Sequence, residues 1–385
     1  MKTKNLIEET KEFFGVIYPY VCDDDITDID FNGTNLWLTY SNNYRESVDD
    51  LLSDEFVDQF SARVSNAVSK PFNKQYPVLE AETEFLRITI VHESVAMSGR
   101  SFCIRKSLPS VRLNEDTIIS SGFCDRQTLE YLKDCIKKKR NIIFCGEPGA
   151  GKTECAKFFS KYIDAEDRVI TIEDNAEWHY SLINEGKDCV ELKVNDVVDY
   201  SKAIKTCLRL NPKWIMLSEV RSSEVVYLME CFSTGVRGIT TLHTDDVKKI
   251  PDRMLNMAGQ FAGTNMENDI YSFVDVGVLI KREETRKNGR HYGKRHIEQI
   301  CTFTREDGKN KVSMIDISCV AEDETSKESQ EEFTEETIKE ASEEEKTKES
   351  EKNNESQEVD TRINKGRKVS IWKGGGTYYE KKEVI

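Results

Sequence analysis

The sequence predicts an α/β protein with a mostly parallel sheet, preceded by a smaller α+β region. From Asn141 onward, short apolar runs alternate with helix-compatible segments, which is the β-α-β order that builds parallel sheets. Before residue 112, β-prone runs instead follow one another around a single long segment, Asp49–Lys70, whose apolar residues recur at helical spacing. A chain of 385 residues is long enough for two such domains, each with its own core.

Residues 1–112 are predicted to form the α+β domain. An Asn-Gly pair favours positive φ angles, so Asn32-Gly33 is expected to close a hairpin. Besides the helix Asp49–Lys70, the predicted elements are a short helix over residues 1–16 and strands at Thr27–Phe31, Asn35–Thr39, Phe85–Val91 and Ser101–Arg105.

Residues 113–122 are predicted to be a linker, and residues 123–320 the α/β domain. Asp125 can cap the helix that follows it, and this helix ends in the basic run Lys137–Arg140, where cations complement the helix dipole. The predicted strands are Asn141–Cys145, Arg168–Ile172, Trp214–Leu217, Gly238–Leu242 and Phe273–Ile280.

The C-terminal part differs in composition from everything before it. Residues 321–360 hold 17 acidic and 5 basic residues and lack apolar periodicity, which predicts disorder. Residues 361–385 are basic and contain Trp372 and two tyrosines, so a frayed end, a small hairpin and a docking peptide are all open. Without these segments the net charge of residues 1–320 is −8, typical of a soluble protein.

Several further features of the composition bear on the cellular compartment and on the kinds of partner that the sequence predicts. No stretch approaches the ~20 apolar residues that span a bilayer, and the acidic residues near the N-terminus do not suit a secretory signal. The 11 cysteines are odd in number and lack a CxxC pair, which favours reduced thiols in the cytoplasm. No basic stripe interleaved with aromatic residues is visible, so no direct nucleic-acid contact is expected.

A phosphate-binding loop, called the P-loop below, is predicted at residues 146–153. Its residues are Gly146, Glu147, Pro148, Gly149, Ala150, Gly151, Lys152 and Thr153, a full match to G-x-x-x-x-G-K-[ST] between an apolar strand and a helix-compatible run. The glycines let backbone N–H groups converge on phosphate oxygens. Lys152 is expected between the outer phosphates of ATP, and the Thr153 hydroxyl is expected to bind Mg²⁺.

Acidic residues and a histidine follow three of the other predicted strands. Glu219 ends an apolar strand and so is expected beside the phosphates, where it could activate the attacking water, directly or through Mg²⁺. Glu173 and Asp174 end another strand in the same way, and one of them could reach the site. His243 ends a further strand, where a structural role and a functional role are both open.

The order of these motifs resembles the ATPases of type II and type IV secretion, conjugation and type IV or Flp pilus assembly, most closely the conjugation and Flp-pilus branch. The segments that carry the resemblance are Asp24–Ile29 with Asn32-Gly33, Arg87–Val91, Ser101–Lys106, the P-loop, Thr171–Asp174 with Glu177, Leu208–Pro212 leading to Ser218–Arg221, Ser233–Thr244 and Arg253–Leu255. Each segment alone is a weak signal, but their order along the chain is specific.

The resemblance implies a hexameric ring with each nucleotide between a PAS-like N-terminal domain and a RecA-like P-loop domain. It further implies Glu219 as the catalytic carboxylate, Glu173 and His243 as site residues, Arg87 and Arg105 as phosphate-sensing cations, and Arg221 near the catalytic carboxylate. ATP and Mg²⁺ are the implied ligands. The implied partners are inner-membrane platform or channel proteins, at the cytoplasmic face of the membrane.

Three positions depart from the family pattern. Ser218 replaces a glycine, Val236 stands where a histidine is usual, and Asp245-Asp246 replaces a more neutral pair. The alternative to an ATP-driven motor is a nucleotide-gated scaffold that binds ATP with little turnover. A DNA-packaging motor is disfavoured by the negative charge of the folded part.

Overall fold

The computed structural model describes residues 7–42, 44–48, 52–287 and 290–316. The predictions for residues 321–360 and 361–385 therefore lie outside the described residues, as do the starts of the helices predicted at residues 1–16 and 49–70. None of the described helices combines the length and the apolarity needed to cross a membrane.

The N-terminal region is an antiparallel sheet covered on one face by helices. Its strands are β1 (Ile26–Phe31), β2 (Leu36–Tyr40), β3 (Arg45–Val48), β4 (Val78–Glu82), β5 (Leu86–Val91) and β6 (Ser101–Lys106), and its helices are α1 (Lys11–Phe14), α2 (Tyr18–Cys22) and α3 (Asp54–Val68). The strand order is β3-β2-β1-β6-β5-β4. Phe14 and Phe60 of the helices pack on Ile29 and Ile104 of the sheet, and all four are fully buried.

The predicted hairpin is confirmed, with a four-residue loop. Phe31 pairs with Leu36, and the Asn32 side chain accepts hydrogen bonds from the N–H groups of Thr34 and Asn35 at 3.0 and 2.8 Å. Gly33 has φ +97°, in the region that glycine adopts readily. The strands β3 and β4 were not predicted, because β3 is half-exposed and β4 is rich in Glu and Ala, which have low β propensity.

The segment predicted as a linker contains a short helix, α4 (Glu115–Ser120). The Asn114 side chain accepts the N–H of Thr117, and the Thr117 hydroxyl accepts the N–H of Asn114, which is a capping box. The next helix, α5 (Arg126–Lys137), begins with the cap predicted at Asp125, whose carboxylate accepts the N–H of Thr128 at 2.6 Å.

The second sheet has eight strands and is mostly parallel, as predicted. The strands are β7 (Ile142–Cys145), β8 (Val169–Glu173), β9 (Cys189–Lys193), β10 (Trp214–Leu217), β11 (Arg237–Leu242), β12 (Val276–Lys287), β13 (Arg290–Glu306) and β14 (Lys309–Ile315), in the order β14-β13-β12-β7-β11-β10-β8-β9. The run from β12 to β9 is parallel, while β13 and β14 extend it antiparallel.

Helices cover both faces of this sheet. Besides α5, they are α6 (Lys152–Ser160), α7 (Tyr180–Ile183), α8 (Tyr200–Cys207), α9 (Glu224–Ser233), α10 (Ile250–Ala258) and α11 (Met266–Phe273). The strand predicted at Phe273–Ile280 begins later, at Val276, because Phe273 ends α11. Side chains of alternate residues on β7 and β10 enter opposite cores, with Phe144 on one face and Ile215 on the other.

The parallel strands bring the predicted site residues to one edge of the sheet. Gly146 follows β7, Ser218-Glu219 follows β10 and His243 follows β11, and these three strands are neighbours. In a parallel sheet the carboxyl ends of adjacent strands meet at the same edge, and ligands bind in the crevice outside it.

Candidate nucleotide site

The P-loop joins β7 to α6 and depends on its glycines. Gly149 and Gly151 have φ angles of +74° and +95°, which L side chains rarely adopt. Gly146 has φ +146°, and a Cβ atom there would lie 2.2 Å from the Ile280 carbonyl oxygen of β12. A larger residue would therefore displace the loop from its neighbouring strand. The helix α6 begins at Lys152, so its first N–H groups and its dipole face the loop.

Lys152 is buried in the mouth of the P-loop. Its Nζ donates to the carbonyl oxygens of Gly146 and Glu147 at 3.1 and 2.9 Å and lies 3.1 Å from Nδ1 of His243. Burial lowers the pKa of this lysine. Phosphate oxygens are stronger acceptors than these carbonyl groups, so a bound phosphate would compete for the same ammonium.

Glu219 and His243 form a direct pair beside Lys152. His243 Nε2 lies 2.7 Å from Oε1 of Glu219. Its Nδ1 lies 3.1 Å from both Nζ of Lys152, a donor, and the Gly146 carbonyl oxygen, an acceptor. His243 thus connects the P-loop to the predicted catalytic carboxylate, which favours the functional reading of this histidine.

Arg221 holds the second oxygen of the same carboxylate. Its Nε donates to Oε2 of Glu219 at 2.8 Å, and its NH1 lies 3.1 Å from Oδ2 of Asp174. Asp174 thus contributes to the site through Arg221. The guanidinium thus holds the carboxylate oxygen of Glu219 that His243 does not contact.

Glu173 turns its carboxylate toward the backbone of the loop that follows β8. One oxygen, Oε2, accepts the N–H groups of Glu177 and Trp178 at 2.7 and 3.0 Å. The residue is only 6% exposed, and burial raises the pKa of its carboxyl group to about 7. In the structure, Glu173 therefore stabilises the backbone conformation of this loop.

Glu177 is the acid from this loop that reaches the P-loop. Its Oε2 accepts a hydrogen bond from the Thr153 hydroxyl at 3.2 Å. Hydroxyl and carboxylate oxygens are the ligands that Mg²⁺ prefers, so Thr153 and Glu177 fit this ion. Glu177 was noted in the sequence as part of a motif, but only the course of the loop shows which acid is close to Thr153.

The predicted arginines share a cavity with these two residues. The cavity has a volume of about 250 Å³ and lies between β4–β6 of the N-terminal region and the start of α6. Arg87 pairs with Arg105 in the register of β5 and β6, and Nε of Arg105 lies 2.7 Å from Oδ1 of Asp28. The residues that line the cavity include Arg87, Arg105, Lys106, Lys157, Thr153 and Glu177.

A second, larger cavity of about 490 Å³ adjoins the P-loop. Leu113 and Phe123 give it apolar walls, and Gly293, Lys294 and Arg295 of β13 close one side. Arg295 donates to the carbonyl oxygens of Gly149 and Ser41 at 3.2 and 3.1 Å, so it joins the P-loop to the turn after β2. The β13 residues of this cavity were not predicted from the sequence, because the charged run after Ile280 lacks the apolar pattern of a buried strand.

Comparison with known proteins places the chain in a family. The model of the type II/IV secretion system protein family matches residues 83–371. An uncharacterized protein of Bacillus anthracis is 29% identical over 275 residues, covering 70% of this chain and 62% of the relative. The conjugal transfer protein TrbB of Rhizobium radiobacter is 27% identical over 219 residues, covering 53% of this chain and 66% of the relative. The matches thus span slightly less than two thirds of these two relatives.

Solved structures show the same fold. The ATPase DotB of Yersinia pseudotuberculosis aligns with a TM-score of 0.53 at 14% identity, over 78% of this chain and 82% of DotB. The pilus retraction motor PilT with bound ADP aligns with a TM-score of 0.52 at 17% identity, over 71% of this chain and 79% of PilT. The predicted resemblance and the predicted fold class are both confirmed. Since the family model matches most of its length, the chain belongs to the type II/IV secretion system protein family and has the RecA-like P-loop fold of the ATPases PilT and DotB.

Proposed function

We propose that this chain hydrolyses ATP in the presence of Mg²⁺ and uses the energy to drive a membrane-associated secretion, conjugation or pilus assembly machine. The observation that carries the proposal is the group formed by Lys152, His243 and Glu219 at the carboxyl edge of the parallel sheet. It places a phosphate-binding cation and a held carboxylate side by side, which phosphoryl transfer to water requires.

Glu219 acts as the general base in this account. Its carboxylate takes a proton from a water molecule whose oxygen attacks the γ-phosphorus, the bond to the bridging oxygen breaks, and ADP and inorganic phosphate result. His243 and Arg221 each hold one oxygen of this carboxylate, so its orientation is set before the reaction. Mg²⁺, held by Thr153 and Glu177, would neutralise phosphate charge.

Arg87 and Arg105 supply further positive charge to the phosphates. Both line the cavity that also contains Thr153 and Glu177. Arg105 is 67% exposed and ion-paired with Asp28, so its guanidinium is accessible and can exchange this carboxylate for the γ-phosphate. The arginines come from residues 1–112 and the P-loop from residues 123–320, so the two proposed domains build one site.

The assembly and its partners follow from the family. We infer a homohexameric ring at the cytoplasmic face of the membrane, bound to inner-membrane platform or channel proteins and without direct contact with nucleic acid. One relative is described as a conjugal transfer protein and another, from Bartonella quintana, as type IV secretion system protein VirB11. These names support a machine of the conjugation or type IV secretion class.

Steady-state hydrolysis and nucleotide affinity of the purified full chain test this function. We expect Mg²⁺-dependent release of phosphate at a rate that saturates with ATP, and sedimentation as a ring. Tight ATP binding without phosphate release would instead support the nucleotide-gated scaffold. Absence of nucleotide binding would contradict both.

A further inference from the structure

The segment that leaves β6 is hydrogen-bonded to both elements that hold the proposed Mg²⁺ ligands, Thr153 and Glu177. The Ser107 hydroxyl donates to the Ala176 carbonyl oxygen at 2.7 Å, in the loop after β8. The Leu108 carbonyl oxygen accepts from Nζ of Lys157 on α6 at 3.2 Å. Further along, the N–H of Arg112 donates to the Glu154 carboxylate. The arginine-bearing strand is therefore tied to the P-loop domain immediately after it ends.

His179 completes this connection from the loop after β8. Its Nε2 atom lies 2.7 Å from the Ser107 carbonyl oxygen and 3.2 Å from the Ser107 hydroxyl. A carbonyl oxygen only accepts, so Nε2 carries the proton and donates, and the Ser107 hydroxyl remains free to donate to Ala176. Ser107 and the loop thus exchange hydrogen bonds in both directions.

His179 has an unfavourable backbone conformation, and its ring packs against the N-terminal region. Its backbone has φ +43°, a left-handed conformation that costs a non-glycine residue about 1 kcal/mol. Its ring is buried and packs at 5.6 Å from the ring of Phe85, in the turn between β4 and β5. The strained backbone turns this side chain out of the P-loop domain and into the N-terminal one.

Lys157 provides the matching contact from α6. It is 5% exposed and lies one helical turn after Thr153, so its ammonium is buried beside the segment it binds. Burial lowers its pKa, while the carboxylates of Glu154, Glu177 and Glu173 oppose that change. A buried lysine persists when its charge is paired and its N–H groups are used, and the Leu108 carbonyl is one of its acceptors.

We propose that His179 and Lys157 are positioning residues that clasp the Ser107-Leu108 segment and thereby set the distance between Arg105 and the Thr153–Glu177 pair. Arg105 lies two residues before Ser107, and Glu177 lies two residues before His179. Each end of the clasp therefore lies two residues along the chain from a residue that we propose acts at the phosphates. The proposal rests on the ATP hydrolysis proposed above.

The decisive experiment is a double-mutant cycle on single-turnover ATP hydrolysis, with nucleotide affinity measured alongside. His179→Ala should lower the single-turnover rate about 10-fold, because a misplacement of about 1 Å at a reacting centre costs up to about 100-fold. ATP affinity should stay within about 3-fold, since the P-loop supplies it. His179→Gln should recover most of the rate, because its amide N–H can donate to the Ser107 carbonyl.

The second arm of the cycle asks whether His179 acts through Arg105. In an Arg105→Ala background, His179→Ala should cost little more, because residues that act on one step give non-additive losses. His92→Ala is the matched control, since His92 is another buried histidine that bonds locally to Ser94. It should lower the free energy of unfolding without showing this coupling. Additive losses, or no rescue by glutamine, would overturn the proposal.

Hydrogen exchange of the full chain keeps this test separate from the proposed function. Peptides that cover residues 105–112 should exchange faster in His179→Ala than in the wild type, and should return to wild-type exchange in His179→Gln. Unchanged exchange would contradict the clasp whatever the ATPase result. A wild type that does not hydrolyse ATP, with exchange behaving as predicted, would instead remove the proposed function and leave the clasp standing.

Discussion

His243 bridges Glu219 and Lys152: its Nε2 atom lies 2.7 Å from Oε1 of the glutamate, and its Nδ1 atom lies 3.1 Å from Nζ of the lysine. The imidazole therefore connects the carboxylate at the end of β10 with the lysine at the start of α6. A change in the position of either charge is transmitted to the other through a single rigid ring. We propose that His243 keeps Glu219, the proposed base, in a fixed position relative to Lys152.

Removing the imidazole should uncouple binding from hydrolysis. We expect His243→Ala to lower the hydrolysis rate about 10- to 100-fold, because Glu219 remains but loses one of the contacts that orient it. ATP affinity should change little, because the P-loop is unaltered. His243→Gln, which can still donate one hydrogen bond to Glu219, should retain more of the rate. Equal rates for both variants and the wild type would mean that Arg221 alone orients Glu219.

Lys152→Ala should abolish ATP turnover and leave the fold intact. The ammonium serves phosphate charge, and the carbonyl oxygens of Gly146 and Glu147 that it now contacts can be solvated by water. Lys161→Ala, which changes an exposed lysine at the end of the same helix, is the control and should hydrolyse ATP at the wild-type rate. Normal turnover in Lys152→Ala would remove the P-loop assignment.

The two acids of the loop after β8 should respond differently to loss of charge. Glu177→Gln should raise the Mg²⁺ concentration needed for half-maximal hydrolysis by about 10-fold, because it removes an anionic ligand beside Thr153. Glu173→Gln should be milder, since a single amide oxygen can accept both N–H groups that Oε2 accepts now. A Mg²⁺ titration of both variants decides, and the reverse order would contradict these roles.

Glu173 should also make stability depend on pH. Because burial raises the pKa of its carboxyl group from 4.5 to about 7, the folded state holds this proton more tightly than the unfolded state. This stabilisation is fully present below about pH 4.5 and is lost as the pH rises through about 7. The full difference is on the order of 3 kcal/mol.

Denaturant unfolding of the wild type and Glu173→Gln at several pH values between 5 and 8 measures this effect. The variant should gain stability relative to the wild type as the pH rises, because its amide does not ionise. Parallel curves for the two proteins would show that Glu173 stays ionised in the folded state.

Sequence patterns predicted the parts of the site that lie at strand ends. A P-loop has a strict spacing, and an apolar strand that ends in Glu219 or His243 places its last residue at the edge of a parallel sheet. The roles of Glu173 and Glu177 could not be separated in this way, because they depend on how one loop folds back on α6. The contact of Arg295 with Gly149 was missed for a related reason, since β13 is charged along its length and was not recognised as a strand.

Single-turnover hydrolysis by Glu219→Gln, measured together with its ATP affinity, tests the central claim most directly. The amide keeps the shape of the side chain and can still contact Arg221 or His243, but it cannot take a proton from water. We expect ATP affinity close to that of the wild type and a hydrolysis rate lowered by about 10²–10⁴-fold, so that the variant accumulates with ATP bound. A near-normal rate in Glu219→Gln, with Glu173→Gln inactive, would contradict the account and place the base on the loop after β8.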